Sequence, residues 1–228
     1  MKSSLSFLFI FLASLLFSCS KKIADTNNID TLPKAGTFEQ TDTLRVMAYN
    51  VLNYGDLCQG NTTSLDNYFR TIIQNAQPDL MSCEKMTAFS YLPGSAGNLA
   101  DEILTNVLNF VSPDKYNYAT PTNASGSGTL SVLFYNKQKL TYESTDDLLS
   151  LVTDFDLYKF YYKDINLSIT KDTTFLYAVV CHTKSGSASL ERDFQDSTVM
   201  ASLRSKFGYF PNLIVMGDFN TRGSFEHG

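Results

Sequence analysis

The sequence has no CxxC pair, no Cys/His spacing of the kind that holds zinc, no GxGxxG or Walker-type glycine loop and no internal repeat. These absences argue against thiol-held metal, against nucleotide binding on a phosphate loop and against repeat architecture. Cysteine is sparse, with four in the chain. Setting Cys19 aside leaves Cys58, Cys83 and Cys181, an odd number that gives no complete disulfide framework. Cys83 and Cys181 sit inside apolar, strand-like runs and are expected to pack as small buried hydrophobes. Basic charge is also short: 18 Lys and Arg oppose 23 Asp and Glu, for a net charge of −5. The first 18 residues carry only Lys2 among these, so the remainder holds 17 basic and 23 acidic residues, or −6. That balance argues against broad electrostatic adhesion to nucleic acid, which relies on basic patches, but it does not exclude a site whose positive charge comes from a metal ion.

What is present is one domain's worth of chain. At 228 residues, with 43% hydrophobic and 18% charged content, the sequence can bury a sizeable core. Its N-terminus does not belong to that core. Lys2 precedes an apolar run from Leu5 to Phe17, the length of a signal-peptide core and short for a spanning helix. Leu16, Phe17, Ser18 and Cys19 resemble the lipobox of bacterial lipoproteins, with Cys19 as the lipidated residue and Phe17 an unusual occupant. The expectation is a leader over 1–18, a polar tether over 19–43 and a domain over 44–228, exported and anchored in the cell envelope, periplasmic or on the outer-membrane surface.

Within the domain, strands are expected at 44–52, 79–84, 130–136, 155–162, 173–182 and 212–217, and helices at 64–76, 97–109 and 187–207. The segment 121–129, PTNASGSGT, reads as a loop.

The chemistry sits at strand ends. In NLIVMGDFN, Leu213 to Met216 form a core strand, and alternation then places Asp218 and Asn220 on one side with Phe219 on the other. A carboxylate there can hold a hard cation or take a proton, while the amide bonds without titrating. GDFN alone serves equally well as a turn. Other strands repeat the pattern: Val46, Ala48 and Asn50; Leu80, Ser82 and Glu84; Ser131, Leu133 and Tyr135; Ala178, Val180 and His182, continuing to Lys184. Each apolar row ends in one polar group. Singly these are ordinary strand-end residues, and Lys184 is equally a solvated lysine. Together, Asn, Glu, Tyr, His, Asp and Asn are the parts of a metal-assisted hydrolase.

The blocks YN at 49–50, QPDLMSCE at 77–84, SVLFY at 131–135, CHTKS at 181–185 and GDFN at 217–220 resemble, in order and spacing, the endonuclease/exonuclease/phosphatase superfamily, whose members are similar to DNase I. HTKSGSASLERDFQDSTVMASLR, with Arg192, is similar to its secreted bacterial branch, which generally has Gln where this chain has Cys83. The resemblance implies an α+β fold, a four-layered α/β/β/α sandwich with the site at one rim. It implies that Glu84, Asn50 and Asp218 serve Mg²⁺ or Mn²⁺, that Asp218 orients or deprotonates water, and that Asn220 and Lys184 contact the phosphate. Tyr135 and His182 would stabilise phosphoryl charge, with His182 a proton donor to the leaving oxygen. The implied protein is a monomeric phosphodiesterase acting on nucleic acid, with phospholipid or sugar phosphate as alternatives. Relatives carry a last Asp-His strand mouth beyond GDFN. Its absence implies a sandwich missing its C-terminal strand and helix, with weak or no activity or a noncatalytic binding role; His227 is expected to be a loop residue.

Overall fold

The computed structural model describes residues 43–56, 61–88, 97–164, 166–171, 173–209 and 212–223. Cys19, the leader, nearly all of the tether, Cys58 and His227 lie outside the described residues.

Two βαβ units frame the domain. β1 (Val46–Tyr54), α1 (Thr62–Ala76) and β2 (Leu80–Thr87) form the first, with β1 and β2 parallel. β7 (Phe175–His182), α5 (Ser189–Phe207) and β8 (Leu213–Asp218) form the second, again with a parallel pair. Parallel neighbours need a crossover, and a helix supplies it in both halves. Between them run α2 (Leu99–Ile103), a π-helical turn (Leu104–Leu108), α3 (Asn109–Val111), β3 (Tyr116–Ala119), β4 (Thr129–Asn136), β5 (Leu140–Ser150), β6 (Asp154–Tyr162) and α4 (Leu167–Thr170). The strands assemble as two four-stranded sheets, β1-β2-β4-β3 and β5-β6-β7-β8.

Three apolar clusters show how these layers stack. Met81, Cys83, Met86, Val132 and Phe134 pack against Phe69 and Ile73 of α1 and Ile103 of α2. Leu80, Leu133 and Tyr135 face Tyr158, Phe160, Ala178, Val180 and Met216 across the middle. Leu157, Val179 and Cys181 pack under Val199 and Leu203 of α5. The order is helix, sheet, sheet, helix, so a central strand such as β2 is covered on both faces and reads as a nearly unbroken apolar run. Both thiols are free and buried.

Helix boundaries follow local chemistry. Asn61 caps α1 by accepting from Ser64 N at 2.8 Å, and Gln77 closes it in the left-handed region. Asn98 caps α2 by accepting from the N–H groups of Ala100 and Asp101. The helix expected over 97–109 is thus shorter at its start and broken by the π-turn. β3, β5 and α4 were not anticipated. Among the described residues β5 pairs with β6 alone, carries two register shifts and leaves much of its polar sequence in water, so it has no apolar run to betray it.

At the end of the sandwich away from the site, Asp79 joins four segments. Its carboxylate accepts from Arg45 N at 3.1 Å, Asn136 Nδ2 at 2.8 Å and Lys139 Nζ at 2.8 Å. Burial alone would raise its pKa, but Lys139 and Asn136, aided by the Arg45 N–H, hold it below the ordinary 3.8. A carboxyl with a depressed folded pKa contributes stability above its unfolded value, and that contribution fades as pH falls through the folded pKa. Asp79→Ala is expected to cost about 2–4 kcal/mol at neutral pH. In urea titrations the wild type should lose this advantage below about pH 4, where the two proteins converge. A variant with unchanged stability at pH 7 would show that the hub contributes nothing.

Candidate active site

β2 and β4 are antiparallel, and Tyr135 pairs with Leu80 at the start of β2. Tyr135 therefore lies at the end of the sandwich opposite Glu84. Its ring packs against Phe160 and Tyr142, with centroids 5.2 and 6.4 Å away. This corrects the expectation that its phenol joins the site: β4 begins at the rim and Tyr135 closes the far end.

The other inner rows do arrive together. Asn50 is the register partner of Glu84 across β1 and β2, and His182 that of Asp218 across β7 and β8. The two pairs meet across the sheets, since Asn50 Nδ2 donates to Asp218 Oδ2 at 2.7 Å. His182 Nε2 lies 3.8 Å from the same oxygen. Asp218 Oδ1 accepts from Asn220 N at 3.0 Å, and Asn220 Nδ2 donates to Thr183 O at 2.9 Å. One carboxylate thus touches groups from three of the strand ends.

Gly217 makes this approach possible. It sits at φ +139°, and a Cβ built there would lie 1.9 Å from Cys181 O, so β7 and β8 come together at a spacing only glycine permits. Thr183 then fastens the turn beyond, its N–H donating to Asp218 O at 3.0 Å and its hydroxyl to Phe219 O.

Backbone strain gathers at the same rim. Leu52, Asn53, Lys85 and Asn220 all have φ between 48° and 62°. Such conformations cost non-glycine residues about 1–3 kcal/mol each and cluster where a site is preorganised. Lys85 falls in the β2 bulge between Cys83 and Met86, immediately after Glu84.

Glu84 is the most unusual residue of the group. Its side chain is 0% exposed, and among the described residues neither carboxylate oxygen has a hydrogen-bond partner. Burial pushes its pKa up to about 7, and the Asp218 charge adds to the rise. The Ser82 hydroxyl and the backbone N–H groups of Glu84 and Tyr49 pull the other way, yet none reaches the carboxylate with hydrogen-bond geometry. His182 shifts downward because burial outweighs Asp218, with Lys85 adding to the fall, so its imidazole is neutral at pH 7.

Among the described residues, no three His, Cys, Asp or Glu side chains gather as a closed metal cluster. The donor set nevertheless fits a hard divalent ion. Two carboxylates, one of them buried with both oxygens unpartnered, match the sparse protein ligation of Mg²⁺, which keeps water and substrate phosphate for its other positions.

Supporting residues lie just outside this group: Lys184 and Arg192, which the family resemblance pointed to, and Gln195 and Thr153, which the sequence did not single out. Lys184 is exposed, and its backbone is fixed by α5: Gln195 Oε1 accepts from Lys184 N at 2.9 Å, while Arg192 Nη1 donates to Lys184 O at 2.7 Å and Gly186 O at 3.0 Å. Arg192 and Gln195 are buried on the face that packs on the sheet, so their signal was a polar pair on an otherwise apolar stripe. Thr153 Oγ1 donates to His182 O at 2.6 Å. The 121–129 loop crosses to the other sheet, where Thr122 binds Asp156 through N–H and hydroxyl at 3.1 and 2.5 Å, and Ser125 binds Asp154 likewise at 2.7 and 2.9 Å. Burial raises Asp156 to about 6 despite these bonds.

No protein-family model and no curated protein matches the sequence. Solved structures do match. A mannosyl-6-phosphatase of Bacteroides thetaiotaomicron aligns at TM-score 0.51 and 15% identity over 81% of this chain and 68% of its own. An endonuclease/exonuclease/phosphatase family protein of the same organism aligns at 0.50 and 16%, over 80% and 66%. TDP2 of D. rerio, complexed with single-strand DNA product, aligns at 0.54 and 14%, over 81% and 63%. The chain therefore spans about two thirds of the length of these structures. With this layering, these sheets and these neighbours, the chain has the DNase I-like sandwich fold of the endonuclease/exonuclease/phosphatase superfamily.

Proposed function

We propose that the protein is a divalent-cation-dependent phosphodiester hydrolase, in its finer reading a nuclease, exported and anchored through Cys19. The observation that carries this reading is the Glu84 carboxylate, wholly buried and unpartnered beside the Asn50–Asp218 pair. An unpaired buried charge costs several kcal/mol, and a fold retains one where something else binds it.

Glu84 and Asp218 would hold Mg²⁺ or Mn²⁺, which when bound supplies Lewis-acid stabilisation of phosphoryl charge. Asn50 fixes one Asp218 oxygen and the Asn220 N–H fixes the other, so the carboxylate is oriented to receive a proton from an attacking water. His182, neutral at pH 7, donates one ring N–H to a nonbridging or leaving oxygen. Asn220 holds the turn in place through Nδ2 to Thr183 O, and the rest of its amide would meet the phosphate. Lys85, next to Glu84, and Lys184, two residues past His182, suit a polyanionic strand despite the acidic body, and TDP2 with its DNA product supplies the structural parallel.

Hydrolysis of bis(p-nitrophenyl) phosphate in Mn²⁺ or Mg²⁺ tests the chemistry. Excess EDTA is expected to reduce the rate at least about 100-fold with full recovery on adding metal, and His182→Ala to lower kcat by about 10²–10³. Undiminished turnover in EDTA would refute the metal dependence, and a Glu84→Ala protein with unchanged cation affinity would leave only a binding protein of the same fold. Fractionation of a Cys19→Ser protein tests the anchor: retention in the membrane would reject it.

A further inference from the structure

Twelve large apolar side chains are exposed among the described residues, and four of them converge on one place. Leu151 and Val152 lie in the turn between β5 and β6, 47% and 58% exposed; Leu190 and Phe194 lie one turn apart on α5, 79% and 57% exposed. With Lys184 and Gln195 they line a cavity of about 300 Å³, completed by Glu191. Scattered exposed apolar residues need no explanation, whereas a concave group of them marks a binding surface.

The segments that wall the cavity adjoin the one that carries His182. Lys184 is two residues past His182, and Thr153, next to Val152, donates to His182 O at 2.6 Å. Arg192 and Gln195 clamp the Lys184 backbone from the same helix that carries Leu190 and Phe194. The turn is braced by its own hydrogen bonds, Leu151 N donating to Thr153 O at 3.3 Å and Ser150 Oγ to Asp154 Oδ1 at 2.8 Å.

The lining favours a flat apolar surface over a hydrogen-bonding one. Gln195 Oε1 is already engaged by Lys184 N, and four walls are hydrocarbon. The polar lining is confined to Lys184, Glu191 and Gln195, while a heteroaromatic ring can lie against Phe194 and Leu190 with its faces satisfied. Resting on the phosphodiesterase reading, we propose that this cavity takes a nucleobase next to the scissile phosphate, stacked on Phe194, with Lys184 serving the adjoining phosphate. Because every base has a π-face and the walls read little of its edge, recognition is tolerant of sequence.

Calorimetric titration of the whole chain in Mg²⁺ with AMP, CMP, ribose 5-phosphate, adenosine and hexyl phosphate tests this. AMP and CMP should bind at least about tenfold more tightly than ribose 5-phosphate, the contribution of one stacked base. Phe194→Ala should erase that difference and leave ribose 5-phosphate affinity unchanged; its exposure makes an unchanged melting temperature the expected control, and Leu190→Ala should erase part of it. Equal affinity for AMP and ribose 5-phosphate, indifference to Phe194→Ala, or hexyl phosphate binding above AMP would each overturn the proposal. Adenosine carries no phosphate and separates the two readings. Phe194-dependent adenosine binding without any hydrolysis keeps the base site and rejects the phosphodiesterase, whereas hydrolysis without preference for the base overturns the base site alone.

Discussion

Glu84→Gln is expected to do two opposite things: to raise the melting temperature of the cation-free protein and to abolish phosphodiester hydrolysis. The gain arises because the wild-type carboxylate is fully buried with both oxygens unpartnered, and burial already pushes its pKa to about 7. At pH 8 in chelator, replacing that ionised group by a neutral isostere removes a desolvation cost of about 1–3 kcal/mol. For a domain of this size the melting temperature should rise by about 3–8 °C. The loss arises because the same group is one of two carboxylates for the cation, and hydrolysis should fall about 10³-fold or more. A glutamate kept for structure would behave otherwise: its replacement would lower the melting temperature. Differential scanning calorimetry and a steady-state assay on the same two proteins decide the matter.

Gly217→Ala is expected to be the most damaging single methyl in the domain. The added Cβ would meet the Cys181 carbonyl oxygen at 1.9 Å, a backbone atom with no rotamer to yield, and φ at 217 is +139°. Relief requires β7 and β8 to separate where His182 and Asp218 are register partners. Clash and strain together should cost about 4 kcal/mol or more, enough to unfold much of the population at 37 °C. What remains folded should carry a displaced Asp218, with weaker cation binding even under stabilising conditions. A variant that melts like wild type would mean that the close approach of the two strands is relieved at little cost.

Much of the site was legible because alternation marks which residues share a face. Val46, Ala48 and Asn50, or Ala178, Val180 and His182, could each be placed on one face from spacing alone, and the parallel pairs carry their ends to one rim, although Val46 and Ala48 on β1 are exposed rather than buried. Alternation does not encode which way a strand runs. The row ending at Tyr135 looked equivalent to the others, but β4 is antiparallel to β2, and pairing direction is a long-range property of the assembled sheet. The orphaned state of Glu84 was equally hidden, since it depends on what β1, β7 and β8 fail to offer it. Nor do Leu52 and Lys85 announce left-handed backbone, as neither residue type favours it. Arg192 and Gln195 occupy the buried stripe of α5, where a sequence pattern would place apolar residues; their task becomes visible only once the Lys184 backbone lies beside them.

The central claim is that Glu84 and Asp218 share one divalent ion. The most direct measurement is Mn²⁺ titration followed by electron paramagnetic resonance, which counts free Mn²⁺ and needs no substrate. The account predicts saturable binding by the wild type and a loss of affinity of about 100-fold or more in both Glu84→Gln and Asp218→Asn, with the fold intact by circular dichroism. Mn²⁺ bound equally well by all three proteins, or by none, would contradict it.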